Sequence, residues 1–494
     1  MKIEINRSSH VPLAQQIYQS FTDRILSGYF PSGTRLPSVR QLAKTLQVSP
    51  VTVMQALDLL EKQQLIERIQ GKGIFVAVKN NVETEEPEEE REDGSLFLQI
   101  PDYLHRTQQM YYNQVLAQIN FSSPIVHPDL LPTEILAQSI SQLVQKEPEI
   151  LAQYGEIQGD IELRQALAHY LMNEGIKVSP QDILVTNGSQ QGIDLVARCF
   201  LGPGDIVFTE EPTYTAAIDI FRSRGATVIA VPVDQEGMRI DKLTALLDTY
   251  TPKLIYTMPT FQNPTGYVMN QKRRRELIDL TRHINCLILE DDPWSEIFFD
   301  QSPPLHLKAM DRYGNVIYLK GLSKILSPGC RIGFMVASDM ILNRLIAAKT
   351  NADMGNPLLN QKVILPIFQS QWIRRLLKEL RESLKQKRNL TLQLLKEYAP
   401  PGMSWLTPKG GFNIWITLPK GANTIELLSM CKQKNISFLP GSACFPSDIE
   451  WNHLRLSFSN VDEEEITLGI KEMCMVIGKY LSSLDRQKGQ TPLF

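Results

Sequence analysis

The sequence predicts a chain of more than one domain: a small α+β head, an acidic connecting stretch and a large α/β body. Three observations carry this reading. At 494 residues the chain exceeds what one hydrophobic core serves. Charge is partitioned along it: residues 1–80 hold ten Lys/Arg against five Asp/Glu, and residues 81–95 hold eight Asp/Glu against one Arg. From about residue 118, short apolar β-branched runs alternate with helical patterns, whereas the first 80 residues read as helices followed by a hairpin.

The head comes first in the chain. Leu13, Ile17, Phe21 and Ile25 recur at i, i+4 and define one apolar helix face, with Gly28 as its stop. In "LPSVRQLAKTL", Ser38 caps a second helix and Gln41 completes a capping box. In "VSPVTVMQALDLLEKQQLI", Ser49 is the cap and Pro50 the first helical residue, where a missing N–H costs nothing. Val53, Leu57 and Leu60 then face the core. "LIERIQGKGIFVAV" reads as two short strands joined by Gly71-Lys72-Gly73.

Three helices and a hairpin make a winged helix-turn-helix, in which the third helix enters the DNA major groove. Ser49, Val51, Thr52 and Gln55 would point outward from that helix. Arg40 on the second helix would meet a phosphate or a base edge, and Lys72 sits at the tip of the wing. A small helical domain with a hairpin and no DNA role is the alternative, but the +5 charge of the head favours a nucleic acid. The stretch "GTRLPSVRQLAKTLQVSPVTVMQALDLLEKQQLIERIQGKGIFVA" resembles the DNA-binding domain of the GntR family of bacterial regulators. Pro50 stands where many members of that family have arginine.

The stalk, "VKNNVETEEPEEEREDGS", has almost nothing to bury and is expected to be a polar linker. The remaining composition is that of an ordinary globular protein, 43% hydrophobic and 21% charged. No run of 18 apolar residues appears, so no membrane span is expected, and "MKIEINRSSHVPLAQQ" lacks a leader-type apolar core. The six cysteines are scattered without a C-x-x-C pair. Free thiols in a reducing cytoplasm, and no metal site, are the expectation.

In the body, "DILVTNG", "DIVFTE", "TVIAVPVD", "LIYTMPTF", "CLILEDD", "NVIYLKG" and "RIGFMVAS" read as strands, with helices such as "SQQGIDLVARCFL" between them. That alternation predicts a mostly parallel sheet covered on both faces. Such sheets bind ligands beyond the carboxyl ends of their strands. The reactive residue types cluster at those ends. Gly188, Ser189 and Gln190 precede a helix, whose free N–H groups favour an anion, although an ordinary cap reads the same way. Tyr214 follows a strand, as a stacking ring or equally as a core residue. Asn263 lies in a proline-rich turn, and Asp291 ends a buried strand, where a carboxylate needs a cationic partner. Ser323 and Lys324 then lie seven to eight residues before Arg331.

This set suits pyridoxal 5'-phosphate. That cofactor needs an amine to attach its aldehyde carbon, a carboxylate at its ring nitrogen, an aromatic against its ring and a cup for its phosphate. Lys324 is the amine, and desolvation beside Arg331 is expected to depress its pKa. Asp291 would take the ring nitrogen and Asn263 the ring oxygen. Gly188, Ser189, Gln190, Ser323 and Arg331 would hold the phosphate.

From about residue 118 to 485 the chain resembles the fold type I pyridoxal-phosphate-dependent aminotransferases. "YGEIQGDIELRQALAHYL", "GSQQGIDL", "EPTY", "NPTG", "EDD", "SK…PG.RIG" and "LRLSFSN" stand in that family's order. The resemblance implies cofactor contacts at Ser189, Gln190, Tyr214, Asn263, Asp291, Lys324 and Arg331, and a grip on the substrate carboxylate at Arg455. Two positions depart from its pattern: Trp294 stands where a tyrosine commonly touches the ring oxygen, and Gly321 where a serine often touches the phosphate. These departures predict slow or partial transamination.

The expected organisation is therefore residues 1–78 as a GntR-type winged helix-turn-helix, 79–117 as linker and connecting segment, and 118–494 as the aminotransferase-like domain. The whole chain resembles the MocR (GabR-like) transcription regulators. That implies a cytoplasmic homodimer which binds a double-stranded operator and senses a small amine, an amino acid or the cofactor itself. An active aminotransferase with an accessory DNA-binding module is the alternative, and a scaffold without cofactor is disfavoured by Lys324 and Asp291.

Overall fold

The computed structural model describes residues 12–26, 35–46, 48–63, 65–69, 73–77 and 117–489. The chain divides into two compact units, residues 1–105 and 106–494. The expected stop at Gly28, the acidic stalk and Lys72 lie outside the described residues, as does the side chain of Arg40.

The head is built from α1 (Leu13–Leu26), β1 (Arg35–Leu36), α2 (Val39–Leu46), α3 (Pro50–Lys62), β2 (Ile66–Ile69) and β3 (Gly73–Val76). Its core gathers Ile17 and Phe21 from α1, Leu42 and Leu46 from α2, and Val53, Leu57 and Leu60 from α3. The i, i+4 spacing of these residues is what folds three short helices onto one another. Ser38 and Gln41 form the reciprocal capping box, with the Ser38 N–H donating to Gln41 Oε1 at 2.9 Å. The strands form a three-stranded antiparallel sheet in the order β1-β3-β2. The strand absent from the sequence reading is β1: two residues are too few to show a period, and its pairing of Leu36 with Ile74 is a long-range event.

In the body, β4 (Ile119–Asn120) leads to a sheet of eight strands. These are β5 (Ile183–Thr186), β6 (Ile206–Glu211), β7 (Thr227–Asp234), β8 (Gly237–Met238), β9 (Leu254–Thr257), β10 (Leu287–Asp292), β11 (Val316–Gly321) and β12 (Gly333–Val336). Their spatial order is β5-β12-β11-β10-β9-β6-β7-β8. The seven predicted strands are all present, and β12 runs antiparallel to both its neighbours. The period of two decides what each strand end offers. Leu289 of β10 and Leu319 of β11 belong to the core cluster shared with the helix Ser189–Phe200, whereas Tyr318 joins the core on the other face. Asp291 shares the parity of Leu289, so it emerges on the face whose covering helix begins at Ser189.

A second, antiparallel sheet consists of β13 (Ser404–Trp405), β14 (Asn413–Thr417), β16 (Leu439–Pro440) and β17 (His453–Ser457), while β15 (Ile436–Ser437) pairs in parallel with β4. That last pairing brings Ser122 beside Arg455 of β17, whose Nη2 donates to the Ser122 carbonyl. No helix among the described residues is long and apolar enough to cross a membrane.

Candidate cofactor and effector site

Asp291 is buried at the end of β10 and accepts one hydrogen bond, from the Tyr256 hydroxyl at 2.7 Å on Oδ2. Its Oδ1 is buried and has no hydrogen-bond partner among the described residues. Burial, with the adjacent Asp292 charge adding to it, pushes this carboxyl up to about 7 against the opposing Tyr256 bond.

The anion cradle is a matter of backbone geometry. Gly188 takes φ +78° immediately before the helix Ser189–Phe200. A Cβ there would stand 2.9 Å from Arg331 Nη2, so glycine is what lets the guanidinium close over the helix start. Arg331, itself at φ +53°, donates through Nη2 to the Asn187 carbonyl at 3.3 Å. Gly321 abuts the same place, since a Cβ on it would lie 3.2 Å from Ser189 Oγ. The helix start is braced from behind by Asp353, which accepts from Asn187 Nδ2 at 2.9 Å and from Gln191 Nε2 at 2.6 Å, and is itself held by Lys349. Gln190 is exposed and sits in the first helical turn, so its backbone is what it has to offer a bound anion.

Lys324 is half-buried one residue after Ser323. Burial, then the charges of Arg455 and Arg331, bring its amine down to about 8. Tyr214 precedes the helix Thr215–Ser223 and is partly buried, and burial with the Asp291 charge pushes its phenol up to about 12. Asn263 accepts on Oδ1 from Arg455 Nη1 at 2.9 Å and from Asn413 Nδ2 at 3.4 Å. Among the described residues no carboxylate pairs with Arg455, and its buried Nε lacks a hydrogen-bond partner. Trp294 turns away from this chemistry: its indole N–H donates to the Phe261 carbonyl at 2.7 Å inside the core.

The sequence reading missed several participants. Tyr256, the Asp353 bracket and a buried charge network on the opposite face of the sheet are all legible only in three dimensions. In that network Lys320 lies fully buried between Asp292, at 3.0 Å, and Glu296, with Tyr318 and Ser295 also donating to Asp292.

These residues fit pyridoxal phosphate. The unpartnered Asp291 oxygen awaits an N–H donor, the cradle would close on a phosphate, and Lys324 offers an amine of lowered pKa. In the head, Ser49 spends its hydroxyl on the N–H of Thr52 at 3.1 Å and on the Thr52 hydroxyl at 2.8 Å. Both predicted contacts therefore lie at the helix start as a mutually bonded pair, with reduced freedom to reach a base.

The family model of aminotransferase class I and II matches residues 119–472, and that of the bacterial regulatory proteins of the gntR family matches residues 13–76. The uncharacterized HTH-type transcriptional regulator YisV of Bacillus subtilis is 32% identical over 94% of this chain and 96% of its own length. Aromatic-amino-acid aminotransferase 1 of Thermococcus litoralis is 35% identical over 73% of this chain and 88% of its own. The crystal structure of Pyrococcus horikoshii kynurenine aminotransferase superposes with a TM-score of 0.72 at 34% identity, covering 78% of this chain and 96% of that one. The aminotransferase of Thermococcus litoralis matches about three quarters of the chain and the regulator nearly all of it, and the chain belongs to the MocR-like family of GntR-type transcription regulators fused to an aminotransferase class I and II domain.

Proposed function

We propose that the chain is a DNA-binding transcription regulator whose body, loaded with pyridoxal phosphate, senses a small amine that carries a carboxylate. The observation that carries this is Arg455, a buried cation with no carboxylate partner among the described residues, placed close enough to Lys324 to lower the pKa of its amine. Lys324 would attach the cofactor and yield its place to an incoming amine, while Arg455 takes that amine's carboxylate. Asp291 would hold the ring nitrogen and Asn263, whose oxygen is committed to Arg455, would donate its amide N–H to the ring oxygen. Gly188, Ser189, Gln190, Ser323 and Arg331 would hold the phosphate, with Tyr214 against the ring. The bound cofactor supplies an electrophilic carbon that recognises primary amines.

The same reading includes a homodimer in the cytoplasm, with two heads on two half-sites of a duplex operator. Head contacts would come from Arg40 and Lys72, and from Ser49 and Thr52 toward the phosphates beside the helix start rather than to bases. Turnover is expected to be slow, because the position that often offers a phenol to the ring oxygen holds Trp294, committed to the Phe261 carbonyl. A sensor needs only a difference in affinity between two conformations. The test uses full-length, cofactor-loaded protein and a panel of amino acids and amines. The effector is expected to change visible absorption and operator affinity together. Sustained turnover at about 1 per second or faster, with DNA binding indifferent to the same amine, would overturn the reading in favour of an enzyme.

A further inference from the structure

The recognition helix α3 carries an unusual outward edge. Val51 is 64% and Met54 47% exposed, three residues apart on one face, with Gln55 exposed at i+4 from Val51. Val53, Ala56, Leu57 and Leu60 of the same helix are buried in the head core. The exposed apolar pair is therefore not a misaligned core face, because the core face is already complete on the opposite side.

The neighbouring polar groups are occupied. Ser49 and Thr52 bond each other at the helix start. Asp58, one turn beyond Met54, is tied to Arg68 of β2 at 2.6 Å. The one basic residue of α3 is Lys62, in its last turn. The groups with free reach in the first two turns are thus Val51, Met54 and Gln55.

The chemistry of base edges decides what such a helix can read. Guanine is read by Arg or Lys at N7 and O6, and α3 has neither in those turns. Thymine presents a methyl group in the major groove, which suits an aliphatic side chain, and adenine presents the N7 and N6 pair that suits an amide. We propose that α3 reads A·T pairs, with Val51 and Met54 packed on thymine methyl groups and Gln55 bonded to adenine. The proposal rests on the head binding duplex DNA and specifies which bases its helix selects.

The test begins with full-length protein and an operator recovered by selection from random duplexes. Each thymidine in turn is replaced by deoxyuridine, which removes the methyl group alone. At two positions or more per half-site, affinity is expected to fall roughly three- to fivefold per methyl. In Val51→Ala or Met54→Ala the matching replacement is expected to cost nothing further. Both side chains are exposed, so unchanged thermal melting of these variants verifies the fold. Gln55→Ala is expected to lose about tenfold or more of the preference for A·T over G·C at one position. Tight binding that ignores every deoxyuridine replacement, or selection of G·C pairs under α3, overturns the proposal and leaves DNA binding intact. Failure to retard any duplex overturns both.

Discussion

Arg455 donates to the side-chain oxygen of Asn263 at 2.9 Å in a site where the two residues are 3% and 5% exposed. The bond orients both partners. It turns the Asn263 oxygen toward the guanidinium and leaves the amide N–H groups as the donors Asn263 has to give. It also holds Arg455 by neutral oxygens, the second among the described residues being the Ser122 carbonyl. Positive charge is thus fixed in place without being neutralised.

From this follows a selective loss. Arg455→Gln is expected to weaken an α-amino acid effector by about 1.5–3 kcal/mol for each charge-assisted hydrogen bond removed. The corresponding amine without a carboxylate should bind as before, within about twofold. Titrations that follow visible absorption measure both. Equal weakening of the two ligands would show that Arg455 acts on the architecture of the site and not on the carboxylate.

Lys324 titrates at about 8, below its ordinary value of roughly 10.4. A depressed cation contributes stability above its unfolded pKa and loses it as pH falls through the folded one. Cofactor loading onto stripped protein is therefore expected to quicken between pH 7 and 9 with a midpoint near 8. Removing a neighbouring positive charge, as in Arg331→Gln, should move that midpoint upward. Lys324→Ala should abolish the visible band after dialysis. A loading rate that stays flat across this range would contradict the assignment of Lys324 as the attacking amine.

Asp291 shifts the opposite way for a carboxyl, up to about 7 with burial as the first cause. Its stability contribution is complete below the unfolded value of roughly 3.9 and is lost as pH rises through about 7. Cofactor-free Asp291→Asn should therefore be more stable than the parent at pH 8, with the difference shrinking toward pH 5. Cofactor affinity should move the other way and fall, since an amide cannot match a carboxylate at a protonated ring nitrogen. Denaturant titration at several pH values reads the first effect and equilibrium dialysis the second. A variant with unchanged affinity would remove Asp291 from the ring.

Much of this was legible in the sequence because it is local. Ser49 followed by Pro50 marks the start of α3, and seven β-branched runs mark seven strands of the sheet. Lys324, Asp291 and Arg455 stood out as charged residues in apolar surroundings, which is a one-dimensional signal. What stayed hidden depends on partners distant in sequence. Tyr256 looks like any strand aromatic until β9 pairs with β10 and brings its hydroxyl to Asp291. Asp353 braces Asn187 from 166 residues away. Trp294 was readable as a departure from a pattern, but not its commitment to the Phe261 carbonyl. Lys320, inside the predicted strand "NVIYLKG", gives no sequence sign of its burial, because its partners Asp292 and Glu296 lie more than 20 residues away.

Lys320 gives the last prediction, since it links the far face of the sheet to the cofactor face. Its ammonium is fully buried between Asp292 and Glu296. Burial opposes the charge, but the two carboxylates outweigh it and hold the lysine pKa up. Asp292 in turn is held well below the usual carboxylate range, burial notwithstanding, by Lys320 and His306. Lys320→Met leaves two carboxylates buried without their cation, which is expected to cost about 3–5 kcal/mol of stability. Part of that loss should be recovered as pH falls and Asp292, freed of the ammonium that holds its pKa down, takes up a proton. The same change also reaches Asp291, whose carboxyl Lys320 ordinarily draws downward. With the cation gone, Asp291 should titrate higher, and cofactor affinity at neutral pH should weaken although no cofactor-facing residue has changed. Denaturant unfolding of the cofactor-free protein measures the first effect, and the pH dependence of cofactor binding measures the second. Lost stability with an unmoved binding profile would confine Lys320 to a purely structural role and break the proposed link between the two faces.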